Sequence, residues 1–219
     1  MTPFLNLGRQ PHGHSQIAPN RTREKEPRYP LRAHFCRACT AVQIDYTVPK
    51  ETLFGCFPYL SGTTETLRKH FAKSTTRLIQ KLNLKEGDFV ADIGSNDGTW
   101  LACYSGTGIR ALGIECARNL ASIANKKGIE TWPVFFDRQI AEDIIEQKGH
   151  AKLVTAAGVF FHLEELHSVT EGIAKLIEER GVLCVQAIYL GKMVRNAAFD
   201  QIYPEHLNRY RDIKHYADA

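Results

Sequence analysis

One stretch of ten residues constrains the fold of this chain more than any other: residues 90–99 read V-A-D-I-G-S-N-D-G-T. A short apolar run ends in an acid, Asp92, and a loop with glycines at Gly94 and Gly98 follows it. Glycine lets the chain leave a parallel strand sharply and lets a ligand touch bare backbone, which a Cβ atom would block. The pattern therefore predicts the first strand and the ligand-binding turn of an α/β nucleotide-binding domain.

The spacing of the glycines and a second acid indicate which nucleotide. The third glycine of the dinucleotide fingerprint G-x-G-x-x-G is absent, which disfavours a dinucleotide. Glu115 closes a second apolar run, 111–114, where Rossmann-type domains place the acid that accepts hydrogen bonds from ribose hydroxyls. Two acids and no phosphate-binding lysine suit a cationic, phosphate-free nucleoside, S-adenosylmethionine. An ordinary βαβ turn with a chance acid is the alternative. The predicted cofactor residues of these two segments are Asp92, Gly94, Ser95, Asn96, Asp97, Gly98 and Glu115.

Length and composition narrow the class of protein. A chain of 219 residues can form one α/β domain and a small appendage. No apolar run reaches the roughly 18 to 20 residues of a membrane span, and the N-terminus does not read as a signal peptide. Six cysteines lack the density of a secreted disulfide scaffold. We therefore expect a cytoplasmic protein with reduced thiols and no membrane partner.

The positive charge is concentrated near the N-terminus. Residues 1–50 carry eight Lys or Arg against three Asp or Glu, whereas the rest carries 20 against 21. Such an arm suits nucleic acid or an anionic substrate. Prolines among polar residues instead favour a solvated, poorly ordered leader over residues 8–30, and a nucleic-acid partner is disfavoured.

A C-x-x-C knuckle lies in a segment, 31–46, that we predict to be short and β-rich. Cys36 and Cys39 form the knuckle, but a structural zinc site needs four ligands, typically two such pairs, and the second pair is missing. The substitutes are His12, His14 and His34. We predict an incomplete metal site at the knuckle, at which bound zinc is disfavoured. The alternative is a relic knuckle with free thiols. A redox role is disfavoured because no βαβ unit opens at the knuckle.

The remaining chain alternates helices and strands. An aromatic stretch, 53–62, leads into a predicted helix over 65–82 with Thr63 or Thr64 as N-cap. The order then predicts a parallel sheet of five strands with four crossovers. After the strand that ends at 114, the predicted helices cover 117–127, 138–148 (capped by Asp137) and 164–180, and the predicted strands cover 130–136, 153–157 and 182–188.

A possible acid/base cluster follows the fifth predicted strand. Tyr203, Glu205 and His206 fall within four positions, just past a strand's carboxyl end, where open sheets bind ligands. A histidine beside a glutamate in a loop is also a common surface pair, so position alone does not decide between the two interpretations.

Taken together, six motifs resemble one family in one order, the S-adenosylmethionine-dependent C-methyltransferases of nucleotide-linked 4-keto-6-deoxyhexoses. Phe57, Pro204 and the pair Ala157-Gly158 depart from the family pattern, which has tyrosine, histidine and two asparagines there. The motifs are L-N-L-G-R-Q-P (5–11), C-R-x-C (36–39), L-F-x-x-F-x-Y-x-S (53–61), D-I-G-S-N-D-G-T (92–99), F-F-H (160–162) and A-F-D-x-I-Y-x-E-H (198–206).

The resemblance implies a fold and a domain order. The expected fold is α/β, a Rossmann-like class I methyltransferase core with a small, partly degenerate zinc-ribbon-like segment before it. We expect that segment, with the leader, at 1–62, the cofactor-binding core at 63–191, and the start of a substrate-site region at 192–219. The family pattern continues beyond both ends of this sequence, so we expect a chain truncated at both ends.

The resemblance also implies roles for individual residues, and it adds Ala157 to the predicted cofactor residues. A carbon attacks a sulfonium methyl group only after a proton alpha to the ketone has been removed, which needs a base and a donor for the enolate oxygen. His206 matches the base, Tyr203 and Glu205 would orient it or bind the sugar, and His162 would donate to the enolate or cap the following helix. Phe57, Tyr59 and Ser61 would contact the substrate, although aromatic residues are also common in cores.

Three functions stay open from the sequence. The first is a C-methyltransferase acting on a nucleotide sugar, and the second is a catalytically silent module that binds the cofactor or a partner. A nucleic-acid-binding zinc protein is least favoured. The sequence does not specify the sugar, the carbon, the nucleotide carrier or the oligomeric state.

Overall fold

The computed structural model describes residues 1–13, 19–21 and 25–210, so His14 lies outside the described residues. The strands of that part are β1 (Thr2–Gln10), β2 (Tyr29–Phe35), β3 (Val42–Ile44), β4 (Phe89–Ile93), β5 (Arg110–Ile114), β6 (Thr131–Trp132), β7 (Ala151–Ala157), β8 (Ile177–Gln186) and β9 (Asn208–Arg209). Its α-helices are α1 (Lys50–Phe54), α2 (Glu65–Leu82), α3 (Arg118–Lys126), α4 (Arg138–Lys148), α5 (Leu166–Leu176) and α6 (Leu190–Arg195).

The chain folds as two compact units. The sheet unit comprises Phe54–Ala157 and Glu165–Gln186, and the terminal unit comprises Met1–Leu53, Gly158–Glu164 and Ala187–Ala219. This division differs from the three consecutive ranges expected from the sequence, because 187–219 belongs to the same unit as 1–53. The functional assignment of those ranges stays a prediction.

The sheet unit contains the predicted parallel sheet of five strands, in the order β6-β5-β4-β7-β8. All five residues of β4 are buried, as expected for a central parallel strand covered on both faces. Its Asp92 lies beside Gly113 of β5 on one side and Thr155 of β7 on the other. The predicted Rossmann-like α/β class is confirmed.

Some helix ends of this unit follow local sequence signals, although Thr64 precedes α2 without a side-chain capping bond. Helix α2 has the predicted bounds and ends at Asn83, which adopts the left-handed conformation at φ 48°. Asp137 caps α4 as predicted, since its side chain accepts a hydrogen bond from the Ile140 N–H. Helix α5 ends at Leu176 rather than at 180, because β8 already begins at Ile177.

The terminal unit is built on a second, antiparallel sheet in the order β1-β2-β3-β9. The predicted β-rich segment 31–46 contains β2 and β3. The expectation of a poorly ordered leader over 8–30 is wrong for residues 8–10, because β1 continues to Gln10 and pairs there with Tyr29. Residues 14–18 and 22–24 lie outside the described part.

None of the helices in the described ranges combines the length and the hydropathy needed to cross a membrane.

Candidate active site

The glycine turn leaves the carboxyl end of β4 with three residues at positive φ: Gly94 at 70°, Asn96 at 54° and Gly98 at 75°. This conformation strains residues that carry a Cβ atom, although asparagine tolerates it better than most. A Cβ atom on Gly98 would also lie 2.8 Å from Ile129 Cδ1. The predicted turn is therefore present. Position 98 requires glycine because of both its backbone conformation and the lack of space for a Cβ atom.

Glu115 follows β5 and hydrogen bonds directly to this turn. Its Oε2 accepts from the Asn96 N–H at 2.8 Å, and its Oε1 accepts from the Ala117 N–H at 2.8 Å. Burial raises the pKa of Glu115, and the two backbone donors oppose that rise. The structure thus brings the second predicted acid to the glycine turn. Its contact with ribose hydroxyls stays a prediction.

Asp92 lies beneath the turn and is 3% exposed. Thr155 Oγ1 donates to its Oδ1 at 2.6 Å. Burial raises the pKa of Asp92 to about 7, although the Thr155 bond opposes the shift, and the Glu115 charge adds to it. Asp92 therefore titrates near neutrality.

Asp97 pairs with Lys127, a residue that the sequence analysis did not single out. Lys127 Nζ lies 2.9 Å from Asp97 Oδ2, and Thr99 Oγ1 donates to Oδ1 at 2.6 Å. Burial alone would raise the pKa of Asp97, but these hydrogen bonds outweigh it and the pKa lies below its ordinary value. Asp97 is thus an ionised, paired acid within the turn.

Two further cofactor candidates occupy neighbouring positions. Ser95 is buried and packs against Gly113, where a Cβ atom would lie 2.4 Å from Ser95 Oγ. Ala157 is the last residue of β7, in register with Gln186 of β8. All eight predicted cofactor residues belong to the sheet unit.

The aromatic segment 57–61, which carries the three predicted substrate contacts, is tied to the glycine turn. Asn96 Oδ1 accepts from the Ser61 N–H at 2.8 Å, and Asn96 Nδ2 donates to the Tyr59 carbonyl at 3.1 Å. Asn119 of α3 makes a reciprocal pair with the backbone N–H and carbonyl of Phe57, at 3.1 and 2.7 Å. The structure therefore brings Phe57, Tyr59 and Ser61 to the turn, and their role in substrate binding stays a prediction.

The predicted acid/base residues lie in the terminal unit, and His206 is fixed by two bonds. Its Nδ1 lies 3.0 Å from the Gln201 carbonyl oxygen, which only accepts, so Nδ1 carries a proton. In the neutral ring Nε2 is then an acceptor, and Tyr203 Oη donates to it at 2.5 Å. Burial, reinforced by the Glu205 charge, raises the pKa of Tyr203 to about 12, so the phenol is protonated at neutral pH.

His162 and Glu205 are neighbours of this pair, and the side chain of each hydrogen bonds to a backbone atom. His162 Nδ1 donates to the Glu205 carbonyl oxygen at 2.6 Å, and its ring lies 5.0 Å from the His206 ring. The Glu205 carboxylate accepts from the Gly13 N–H at 2.6 Å and lies 3.9 Å from His12 Nδ1. The four predicted acid/base residues are therefore neighbours, and Glu205 is anchored through the N-terminal segment.

Several residues of both clusters were missed by the sequence analysis: Asn119, Lys127, Thr155, Gln201 and Arg209. Arg209 is fully buried and donates through Nη2 to the same Gln201 carbonyl that His206 contacts, at 2.7 Å. No local pattern marks these positions, because each acts across the chain or through a backbone carbonyl.

The C-x-x-C knuckle forms a tight turn, with Thr40 N–H bonded to the Cys36 carbonyl at 2.8 Å. Hydrogen bonds from the Cys39 backbone, and then from its side chain, hold the pKa of Cys36 below its usual value. Over the described ranges, however, no group of three or more His, Cys, Asp or Glu side chains is arranged to hold a metal ion. His34 contacts Asp45 instead. The donor set present here does not fit a tetrahedral zinc site.

Comparison with known proteins identifies relatives for both units. A family model described as "Putative zinc binding domain" matches residues 1–54. C-methyltransferase NovU of Streptomyces niveus is 31% identical over 185 residues, which cover 84% of this chain and 44% of that protein. The chain thus spans less than half the length of this curated relative. The resemblance to a C-methyltransferase is confirmed.

Solved structures establish the fold. A chain from the complex between the Haloferax volcanii Trm112 methyltransferase activator and a methyltransferase matches at a TM-score of 0.52 and 17% identity, covering 72% of this chain and 70% of that one. The YcgJ protein of Bacillus subtilis matches at 0.51 and 13%, covering 68% and 65%. At these identities the likeness shows the Rossmann-like fold alone.

Proposed function

We propose that this chain, which resembles C-methyltransferases, belongs to an S-adenosylmethionine-dependent enzyme that methylates a carbon of a nucleotide-linked keto-deoxysugar. When bound, the cofactor supplies an electrophilic S-methyl group. The glycine turn offers bare backbone to it, and Glu115 offers a carboxylate for its ribose hydroxyls. The similarity to NovU supports carbon as the atom methylated.

The observation that carries the proposal is the Tyr203–His206 pair. Methylation of carbon needs a proton removed alpha to the ketone, and His206 Nε2 is already oriented as an acceptor toward Tyr203 Oη. His206 is 4% exposed whereas Tyr203 is only half-buried, so the phenol is the member that a substrate reaches. In this scheme the Tyr203 oxygen takes the alpha proton as its own proton passes to His206, which leaves an enolate and an imidazolium.

The remaining residues of the cluster would stabilise the negative charge of the enolate and the positive charge of the imidazolium. His162 donates its Nδ1–H to Glu205, so it can donate to an enolate through Nε2 only as the imidazolium. Glu205, anchored on Gly13, has a negative charge that acts on Tyr203 and would favour the imidazolium next to that phenol. These groups belong to the terminal unit, and the predicted cofactor residues belong to the sheet unit.

Two measurements test the proposal. Calorimetric titration with S-adenosylmethionine tests the cofactor site, and exchange of the alpha proton of a 4-keto-6-deoxy nucleotide sugar in deuterated water tests the base. His206→Ala should lose about a hundred- to ten-thousand-fold in exchange rate, whereas His150→Ala, an exposed histidine of the sheet unit, should not. Tyr203→Phe should lose exchange as well. Retained exchange in Tyr203→Phe would make His206 the direct base, and retained exchange in His206→Ala would reject the cluster.

A second candidate is a module that binds the cofactor without turnover. It is favoured by Phe57, Pro204 and the pair Ala157-Gly158, which depart from the pattern of the family that the chain resembles. For these 219 residues alone we expect cofactor binding and weak or no methyl transfer, with activity in a form extended as in the relative. Full activity of the 219 residues would contradict this expectation.

A further inference from the structure

The terminal unit contains a cavity that the proposed chemistry does not use. Its volume is about 510 Å³, within the range of small-molecule sites. Its lining comes from β1, β2, α6 and the segment after α6, and it is dominated by apolar side chains. Its size and lining suit an organic ligand rather than a metal ion or a lone water.

The rim of this cavity exposes large apolar side chains. Phe4 is 56% exposed, Val194 is 73% exposed and Phe199 is 70% exposed, and all three line the cavity. Exposed apolar surface of this kind, gathered around one concavity, is typical of a ligand-binding groove. Phe35 adds a third aromatic ring to the lining.

Charge decides what kind of ligand fits. Arg37, which is exposed, and Arg209, which is fully buried, both line the cavity, and none of the described residues in its lining is acidic. Within the part of the chain that the structure describes, Nε and Nη1 of Arg209 have no hydrogen-bond partner, since only Nη2 is bonded, to Gln201. A buried guanidinium with two unsatisfied nitrogens is costly, and an anion is the group that would satisfy both.

We propose that this cavity binds an organic anion, whose carboxylate, sulfonate or phosphate pairs with Arg209 and whose aromatic or aliphatic body packs against Phe4, Phe35 and Phe199. Burial lowers the pKa of Arg209 to about 10, so the guanidinium keeps its charge at neutral pH. The lining residues all belong to the terminal unit, whereas the predicted cofactor residues all belong to the sheet unit.

A pair of fluorescent probes tests the proposal. 1-Anilinonaphthalene-8-sulfonate carries an anionic group, and N-phenyl-1-naphthylamine has the same skeleton without it. The 219-residue chain should bind the sulfonate saturably at one site, about tenfold or more tightly than the neutral probe. Arg209→Gln should weaken sulfonate binding about tenfold to a hundredfold and leave the neutral probe unchanged.

Two further variants separate this result from a folding defect. Arg37→Gln changes an exposed rim residue and should weaken the sulfonate by a smaller factor, about threefold, in a protein with unchanged circular dichroism. Lys192→Gln removes an equal charge from α6 at a position outside the cavity lining and should change nothing. Equal affinity for both probes, or sulfonate binding that survives both arginine variants, would overturn the proposal.

Competition identifies the source of the anion. Displacement of the sulfonate probe by uridine 5′-diphosphate would indicate a nucleotide phosphate, and displacement by octanoate would indicate a fatty carboxylate. Displacement by neither would contradict the proposal. None of these outcomes depends on methyl transfer, so the result is distinguishable from a failure of the proposed enzyme function.

Discussion

Two acids in and beside β4, Asp92 and Asp88, have pKa values shifted in opposite directions at the level of single residues. Asp92 has its pKa raised to about 7, mainly by burial, whereas Asp88 has its pKa lowered, mainly by its hydrogen bond to Lys152. Opposite shifts predict opposite pH dependences of folding stability. The folded state keeps the Asp92 proton to a higher pH than the unfolded state does, and it loses the Asp88 proton at a lower pH.

Replacing Asp92 should therefore change how stability depends on pH. Between about pH 4 and 7 the folded state keeps the Asp92 proton while the unfolded state has lost it. The folding stability that this proton contributes is therefore complete below about pH 4. It is lost as the pH rises to about 7, by up to about 1.4 kcal/mol per pH unit. Asp92→Asn should remove that slope in urea denaturation at a series of pH values. Asp88→Asn should instead remove stability that the wild type loses as the pH falls. Parallel curves for Asp92→Asn and the wild type would contradict the assigned shift.

Glu115 should dominate cofactor affinity. Glu115→Ala removes the predicted acceptor for two ribose hydroxyls and should weaken S-adenosylmethionine binding by about 1.5 to 3 kcal/mol in calorimetry. Glu130→Gln, which changes the acid that pairs with Lys148, is the matched control and should have no effect. Glu115 also accepts hydrogen bonds from the Asn96 and Ala117 N–H groups, so its loss can affect folding. A thermal melting curve must therefore show that Glu115→Ala is folded. Unchanged affinity in a folded variant would place the cofactor elsewhere.

At this scale the sequence indicated residues whose type and position are both unusual. An acid at the end of an apolar run, such as Asp92 or Glu115, is visible locally. Asn119 and Arg209 are not, because their partners lie 62 and 8 positions away and are backbone atoms. Long-range bonds to the backbone leave no pattern in one sequence.

At the scale of elements, the glycine turn is constrained by both conformation and packing, and two glycines separate these effects. Gly98 and Gly106 both have φ of 75°, but only Gly98 has a neighbour where a Cβ atom would lie. Gly106→Ala should cost about 1 to 2 kcal/mol of unfolding free energy for its conformation. Gly98→Ala should cost about 1 to 3 kcal/mol more for the contact with Ile129. Equal urea midpoints for the two variants would mean that the turn relaxes around the added methyl group.

The aromatic segment 57–61 should depend on its asparagine braces. Asn119→Ala removes the reciprocal pair with Phe57, so the Phe57 amide should exchange with deuterated solvent about tenfold or more faster. Asn125→Ala removes a similar brace from the same helix, toward Thr131, and should leave that amide unchanged. Equal exchange in the two variants would show that α3 does not hold the segment.

Helix and strand lengths show where local signals fail. Helix α2 was predictable because its spacing and its ends agree. The third strand of the parallel sheet, expected over 130–136, contains only Thr131 and Trp132, because only these residues pair with β5. Helix α5 is shorter than predicted for the same reason, since pairing of Ile177 with Ala151 overrides a continuing helical pattern.

At the scale of the whole molecule, the zinc content should follow from the C-x-x-C knuckle, around which the described residues offer no complete set of metal ligands. Purified protein should hold zinc at well below one atom per chain, because Cys36 and Cys39 supply two of the four donors that a structural site needs. Elemental analysis after gel filtration provides the measurement. One tightly held zinc per chain would overturn this prediction and point to His12, His14 or His34 as further ligands.

The pairing of β3 with β9 has a consequence for protein engineering. Val42 pairs with Arg209, and Gly13 holds Glu205, so the first and last parts of the chain form one unit into which the sheet unit is inserted. A chimaera that exchanged only the first 53 residues would separate Glu205 from its anchor. Recombination should instead retain productive hybrids when crossovers fall at 53/54, 157/158, 164/165 and 186/187 together, because each unit is then inherited from one parent.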